Sequence, residues 1–145
     1  MTINEEYIAK HPKSQALYRE ALACIAGGIT HDARHLYPFP IYIDHAQGAR
    51  KWDVDGLEYV DYWVGHGALL LGHSHPAVVE AVTQEAGKMT HPGACTELEI
   101  TWAQQVQKMI PCAERVKFVM SGTEATLLAM RVARAYTGKS KILRF

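Results

Sequence analysis

Apolar and polar positions follow three rhythms along this chain, and each rhythm predicts a different element. Between residues 4 and 26, Tyr7, Ile8, Leu17, Ala21, Leu22 and Ile25 recur at spacings that favour one helix face. Pro12 interrupts that pattern near its start, and Gly27-Gly28 ends it as a C-terminal glycine should. Residues 29–40 contain Pro38 and Pro40 and predict an irregular loop. Three short β-rich runs follow, 41–45, 50–54 and 58–62, joined by Ala46-Gln47-Gly48 and Asp55-Gly56. Asp-Gly between such runs is a strong hairpin signal, so they predict a three-stranded antiparallel meander.

A glycine-rich passage, 64–73, leads to Ser74, read as the cap of a helix with Pro76 in its first turn and Met89 near its end. A second helix fits 96–109. Thr96 caps it, Glu99 stands three residues on in the capping-box pattern, and Pro111 closes it. Beyond Pro111 the rhythm changes. Residues 115–120 predict a strand, Ser121-Gly122-Thr123 a sharp turn, and 122–137 a helix with Ala125, Leu128, Ala129, Val132 and Ala133 on one face. Gly138 stops that helix, and 141–145 predict another strand. Strand, turn, helix and strand together are the unit of a parallel α/β sheet. Two parallel strands alone cannot cover both sheet faces, so further strands are expected.

Composition narrows the function classes. The 145 residues are 48% hydrophobic and 21% charged, a globular mixture. Fifteen basic and fifteen acidic residues give a formal net charge of zero. The densest basic stretch, Lys139, Lys141 and Arg144, is short and interrupted, so no nucleic-acid partner is expected. Cys24, Cys95 and Cys112 are odd in number and widely spaced, which suits free thiols and a cytoplasmic location. The first ten residues carry Glu5 and Glu6 and no apolar run, and no stretch reaches the ~20 apolar residues of a membrane span.

Ser121-Gly122-Thr123 is the most informative chemistry. A strand delivers Ser121, Gly122 leaves space for a ligand, and Thr123 opens a helix whose unpaired N–H groups attract an anion. A plain helix cap explains the same residues equally well. No Gly-Lys-Ser/Thr follows and only one glycine is present, so it is neither a Walker loop nor a dinucleotide fingerprint. His73 and His75, with His66 and His91, raise a metal site, but no carboxylate or cysteine completes a recognisable ligand spacing, and no metal is expected. An alternative function from these residues is a non-enzymatic anion- or metal-binding module built on Ser121–Thr123 or the histidines.

Several motifs agree in order with one family. Ser121-Gly-Thr-Glu-Ala125, followed by Arg131, Ala133, Arg134 and Thr137-Gly138, resembles the phosphate cradle of class III aminotransferases. Asp53-Val-Asp-Gly56, Tyr59, Asp61-Tyr62 and Leu70-Leu-Gly-His-Ser-His-Pro76 look like that family's D-x-D-G, Y-x-D and G-H-x-H-P pattern. Gly27-Gly28, Arg34 and Thr96-Glu-Leu-Glu99 resemble its glutamate-1-semialdehyde aminomutase branch. The resemblance runs from about residue 20 to the end.

It implies an α/β fold, the N-terminal part of a fold type I transferase that uses pyridoxal 5'-phosphate (PLP). Residues 1–92 would belong to the small domain and 93–145 would begin the large PLP-binding domain. Gly122 and Thr123 would donate N–H groups to the PLP phosphate, with Ser121 beside them. Arg34 would take a substrate carboxylate, for which a guanidinium fork is suited. His66 stands where the aminomutases hold a tryptophan beside the substrate, which leaves aminomutase and aminotransferase both open. By the same resemblance the Schiff-base lysine lies beyond Phe145. None of Lys10, Lys13, Lys51, Lys88, Lys108, Lys117, Lys139 and Lys141 sits on a matching motif, so no catalytic residue is expected here and this chain alone is expected to be inactive. Small amino and keto or aldehyde compounds are the implied substrates, and a homodimer the implied assembly.

Overall fold

The helical rhythm of the first residues breaks at His11. The computed structural model describes residues 1–143 and places two helices there, α1 (Ile3–Lys10) and α2 (Pro12–Cys24). Thr2 and Glu5 cap α1 reciprocally: the Thr2 hydroxyl accepts the Glu5 N–H at 3.3 Å and Glu5 Oε2 accepts the Thr2 N–H at 2.8 Å. Pro12 opens α2, where its missing N–H has no intrahelical partner to lose. A 3-10 turn, Ala26–Gly28, follows with Gly27 at φ 68° and Gly28 at φ 70°. A Cβ on Gly28 would come within 2.6 Å of Tyr18 Cε2, so glycine is required there for space as well as dihedral. Part of the 29–40 loop forms a second 3-10 turn, Asp32–Arg34.

The meander forms as expected. Strands β1 (Ile43–Gln47), β2 (Arg50–Asp53) and β3 (Glu58–Val60) pair antiparallel in the order β1-β2-β3. Gln47 pairs with Arg50, so Gly48 and Ala49 make the first turn, and Ala46 and Gln47 lie in the strand instead. The second turn closes through the Asp53 N–H to the Leu57 carbonyl at 3.0 Å, with Gly56 at φ 89°.

Chain contacts divide the molecule into two compact units, Met1–Thr90 and His91–Phe145. The buried residues belong to the first unit and are mostly polar: His11, Ser14, Asp53 and Asp61, with Ala21, Gly28 and Phe39. The buried polar side chains keep hydrogen-bond partners where they lie. Asp53 Oδ1 accepts the N–H groups of Asp55 and Leu57, and its Oδ2 accepts the Tyr59 hydroxyl at 2.7 Å. Burial and the neighbouring Asp53 push the Tyr59 phenol far above its ordinary range. The Tyr59 oxygen lies 2.8 Å from His11 Nε2, and His11 Nδ1 donates to the Tyr7 carbonyl at 2.6 Å. Asp55 accepts the N–H groups of Lys13 and Ser14 and the Ser14 hydroxyl, and so caps α2 from the meander. Burial opposes the Asp55 charge, yet these bonds outweigh it and hold the carboxyl below its ordinary value.

Helix α3 (Pro76–Lys88) begins with Pro76, but His75 and not Ser74 occupies its cap position. Ser74 sits at φ 52° and donates its hydroxyl to the Ala46 carbonyl at 3.0 Å, a long-range bond that takes it away from the helix end. In the second unit, α4 (Glu97–Met109) has the expected cap, with the Thr96 N–H and hydroxyl both reaching Glu99 Oε1. Helix α5 (Gly122–Thr137) has the expected bounds and stops at Gly138 in the left-handed region.

The predicted strand at 115–120 does not form. A strand is a hydrogen-bonded ladder and not a property of one run, and no strand lies beside this one among the described residues. The run is held against α4 instead: Phe118 stacks on Trp102 with centroids 3.7 Å apart, and just before the run the Glu114 backbone carbonyl accepts from Gln107 Nε2 at 2.7 Å. Residues 141–143 of the last predicted strand are likewise unpaired, and Arg144 and Phe145 lie outside the described residues. The parallel sheet is therefore absent among the described residues. Val132 and Tyr136 on α5 are 66% and 91% exposed, so part of the amphipathic face of that helix is uncovered among the described residues. No described helix is long and apolar enough to cross a membrane.

Candidate functional site

The turn before α5 leaves donors free. Ser121 is extended (φ −153°, ψ 159°), its hydroxyl oxygen accepts the Glu124 N–H at 3.2 Å, and its carbonyl accepts the Ala125 N–H at 3.0 Å. These bonds satisfy the third and fourth N–H groups of the helix. Those of Gly122 and Thr123 have no partner among the described residues. A Cβ built on Gly122 meets nothing within 4 Å, and Gly122 and Thr123 are both exposed. Ser121 accepts one bond and keeps its own hydroxyl proton to donate. Glu124 does not face this opening unengaged, because its Oε2 accepts the Met120 N–H at 2.7 Å. Three donors at a helix start suit a phosphate dianion, so the residues present fit the phosphate of PLP.

Arg34 and His66 lie elsewhere, on the walls of one cleft of about 700 Å³ within Met1–Thr90. Ser121, Gly122 and Thr123 belong to the other unit. Arg34 ends the Asp32–Arg34 turn, and its Nη1 donates to the Thr30 hydroxyl at 2.7 Å. His31 caps the same turn by accepting the Ala33 N–H on Nδ1 at 3.1 Å. The His31 ring packs edge-on against His66 at 5.3 Å, and Trp63 does so from another side, also at 5.3 Å. His66 stands at φ 61° in a stretch where Val64, at φ 41°, is also left-handed. Such backbone costs about 1–3 kcal/mol per residue unless its surroundings over-determine it.

The surroundings that do so lie at the base of the cleft. Asp61 is 6% exposed. Its Oδ1 accepts Lys51 Nζ and the Trp63 N–H, each at 3.0 Å, and its Oδ2 accepts from His73 Nε2 at 2.7 Å. A carboxylate only accepts, so His73 carries its proton on Nε2. Gly48 and His73 exchange both backbone bonds at 2.9 Å. Residues 61 and 73 are thus clasped together, and the loop between them carries Trp63 and His66. Gly72 makes the clasp possible: a Cβ there would lie 2.8 Å from the Gly48 oxygen, at φ 80°. Gly72→Ala is expected to lower stability by about 1–3 kcal/mol, read as an earlier urea midpoint. An unchanged midpoint would show that the 48–73 contact does not hold the loop.

The motif reading placed Asp61 and His73 in the family pattern and missed their pairing, and it missed Lys51 altogether. The signal was the coincidence of Y-x-D with G-H-x-H-P, but their meeting depends on the fold. The His73 hydrogen bond, with Lys51 and the Trp63 N–H, outweighs burial and holds the Asp61 carboxyl far below its ordinary 3.8. A carboxyl depressed in the fold stabilises it above the unfolded-state value, and that contribution is lost as pH falls through the folded one. Asp61→Asn is expected to destabilise most at neutral pH, and the gap to the natural chain should narrow as pH drops below about 4. Urea titrations across pH check this, and a gap that widens in acid would contradict it.

Comparison with known proteins gives concordant results. The family described as Aminotransferase class-III matches residues 31–145. A glutamate-1-semialdehyde 2,1-aminomutase of Chloroflexus aurantiacus is 47% identical over 139 residues, covering 94% of this chain and 31% of that protein. A solved structure described as a transaminase with PLP bound superposes with a TM-score of 0.86 at 37% identity, over 97% of this chain and 32% of its own. A β-phenylalanine aminotransferase from Variovorax paradoxus superposes with a TM-score of 0.90 at 29% identity, over 94% of this chain and 32% of its own. The chain spans about a third of the length of the curated relatives it matches.

Proposed function

The chain belongs to the class-III aminotransferase family, and we propose that it supplies the phosphate cradle and the carboxylate-binding wall of a PLP-dependent aminotransferase or aminomutase. The reaction moves an amino group between an amino compound and a keto acid or aldehyde, or within one molecule, in a homodimeric protein. The observation that carries this reading is the pair of unpartnered N–H groups at Gly122 and Thr123, open to a ligand at the start of α5. PLP, when bound, supplies an electron sink for the carbon that bears the amine. The Gly122 and Thr123 N–H groups and the Ser121 hydroxyl hold its phosphate. Arg34 holds the substrate carboxylate with the N–H groups that Thr30 leaves free. His66, seated between His31 and Trp63, borders the same cleft. The covalent anchoring of PLP falls to a lysine that is not among those of this chain.

Position supplies much of catalysis, so the cradle and the arginine alone give no turnover. The test joins this chain to the part of the Chloroflexus aurantiacus relative that it does not cover, and measures PLP-dependent amino transfer beside the chain alone. Transfer by the fusion and none by the chain is expected. A folded, PLP-loaded fusion with no transfer to or from any amino compound would refute the reading. A borohydride-stable PLP adduct at one lysine of the chain alone, with turnover, would refute the division of labour.

A further inference from the structure

We infer that the fold stores one extra proton between α1 and the meander, as a second ring proton on His11, and that this proton ties residues 39–42 of the cleft wall to the fold.

The inference comes from counting donors. Three contacts run in a chain: His11 Nδ1 to the Tyr7 carbonyl at 2.6 Å, His11 Nε2 to the Tyr59 oxygen at 2.8 Å, and the Tyr59 oxygen to Asp53 Oδ2 at 2.7 Å. Each is a hydrogen-bond distance and needs one proton. A neutral imidazole and a phenol bring two between them, and a carboxylate brings none. The Tyr7 carbonyl only accepts, so the first ring proton stands on Nδ1. If the phenol donates to Asp53, Nε2 must donate to the phenol. If the phenol donates to Nε2, the Asp53 carboxyl must be protonated. A third proton is needed either way, and an imidazole is the more basic of the two places for it. The ring and the carboxylate are then opposite charges, with Nε2 3.6 Å from Oδ2 and side chains 6% and 0% exposed, so each offsets the burial of the other.

The titratable groups facing the ring are Tyr7 from α1, Asp53 from β2, Asp55 from the following turn and Tyr59 from β3. Among the described residues no ammonium or guanidinium bonds to any of the four. The same ring braces the cleft. Tyr7 packs on His11 at 4.2 Å and on Phe39 at 5.1 Å, and its hydroxyl donates to the Phe39 carbonyl at 2.7 Å. Phe39 is buried and leads into Pro40, Ile41 and Tyr42, which line the cleft. An unfolded histidine gives up its proton above about pH 6.5. There the folded chain binds the more protons, so its stability falls as pH rises.

The test reads the His11 ring by nitrogen-15 NMR at about pH 8, beside Asp53→Asn. The asparagine keeps the Oδ1 acceptor and offers an N–H to the Tyr59 oxygen, so the phenol can serve a neutral His11 and no extra proton is needed. Two ring protons are expected in the natural chain and one in the variant. One ring proton in the natural chain, a reading that needs no variant, would overturn the inference, and so would two in Asp53→Asn. Exchange of the Tyr42 N–H, which donates to the Ser14 hydroxyl at 3.3 Å, reads the tie to the cleft. Its rate in the natural chain relative to the variant should rise by up to about tenfold per pH unit above pH 7, as one proton is released on opening. A flat ratio would overturn the tie.

Discussion

Replacing Arg34 with alanine in the fusion protein raises KM for carboxylate-bearing amines by roughly tenfold to a hundredfold and leaves simple amines nearly unchanged. The structure makes the effect selective. The Arg34 side chain makes one hydrogen bond among the described residues, to Thr30, so its removal disturbs little else. His31, which caps the Arg34 turn and packs on His66, stays in place. Lys51 cannot substitute while Asp61 and His73 hold the base of the cleft. Steady-state kinetics on paired substrates, an amino acid and its decarboxylated amine, measure the contrast. Equal losses on both would remove Arg34 from the substrate site.

Gly122→Pro should weaken PLP binding by roughly tenfold while leaving α5 intact. Proline is favoured at the first position of a helix, and its only loss there is the N–H proposed to hold phosphate. Ser121 is already extended, the conformation that a following proline demands. Gly122→Ala is the matched control. It keeps the N–H and adds a Cβ that meets no protein atom within 4 Å, so it should lose less PLP affinity than the proline variant. Circular dichroism verifies the helix in both, and equilibrium dialysis gives the affinities. Equal affinity of the proline variant and the natural chain would place the phosphate elsewhere.

What the sequence reveals here depends on the distance over which each feature is made. Asp55-Gly56, Thr96 with Glu99, and Gly138 act within a few residues, and the hairpin, the α4 cap and the end of α5 follow the local pattern. The open N–H groups of Gly122 and Thr123 are of the same kind, because helix geometry dictates which donors lack partners. Ser74 looks like a cap locally but is drawn to Ala46, 28 residues earlier. His11, poor as a cap, is relieved by Asp55, about 40 residues away. Residues 115–120 have strand composition without a strand beside them among the described residues. The cleft is the least local feature. Arg34 and His66 were named from family motifs, but their common wall depends on Asp61 meeting His73, and neither residue type nor spacing announces that pair.

The account is tested most directly at the two free amides. With the chain labelled on backbone nitrogen, NMR can follow the Gly122 and Thr123 signals during titration with PLP, inorganic phosphate and pyridoxal, which lacks the phosphate. Both signals should shift with PLP and with phosphate, saturably and competitively, and stay in place with pyridoxal. If PLP binds while both amides remain unmoved, or if pyridoxal shifts them as PLP does, the phosphate is not held at Ser121–Thr123.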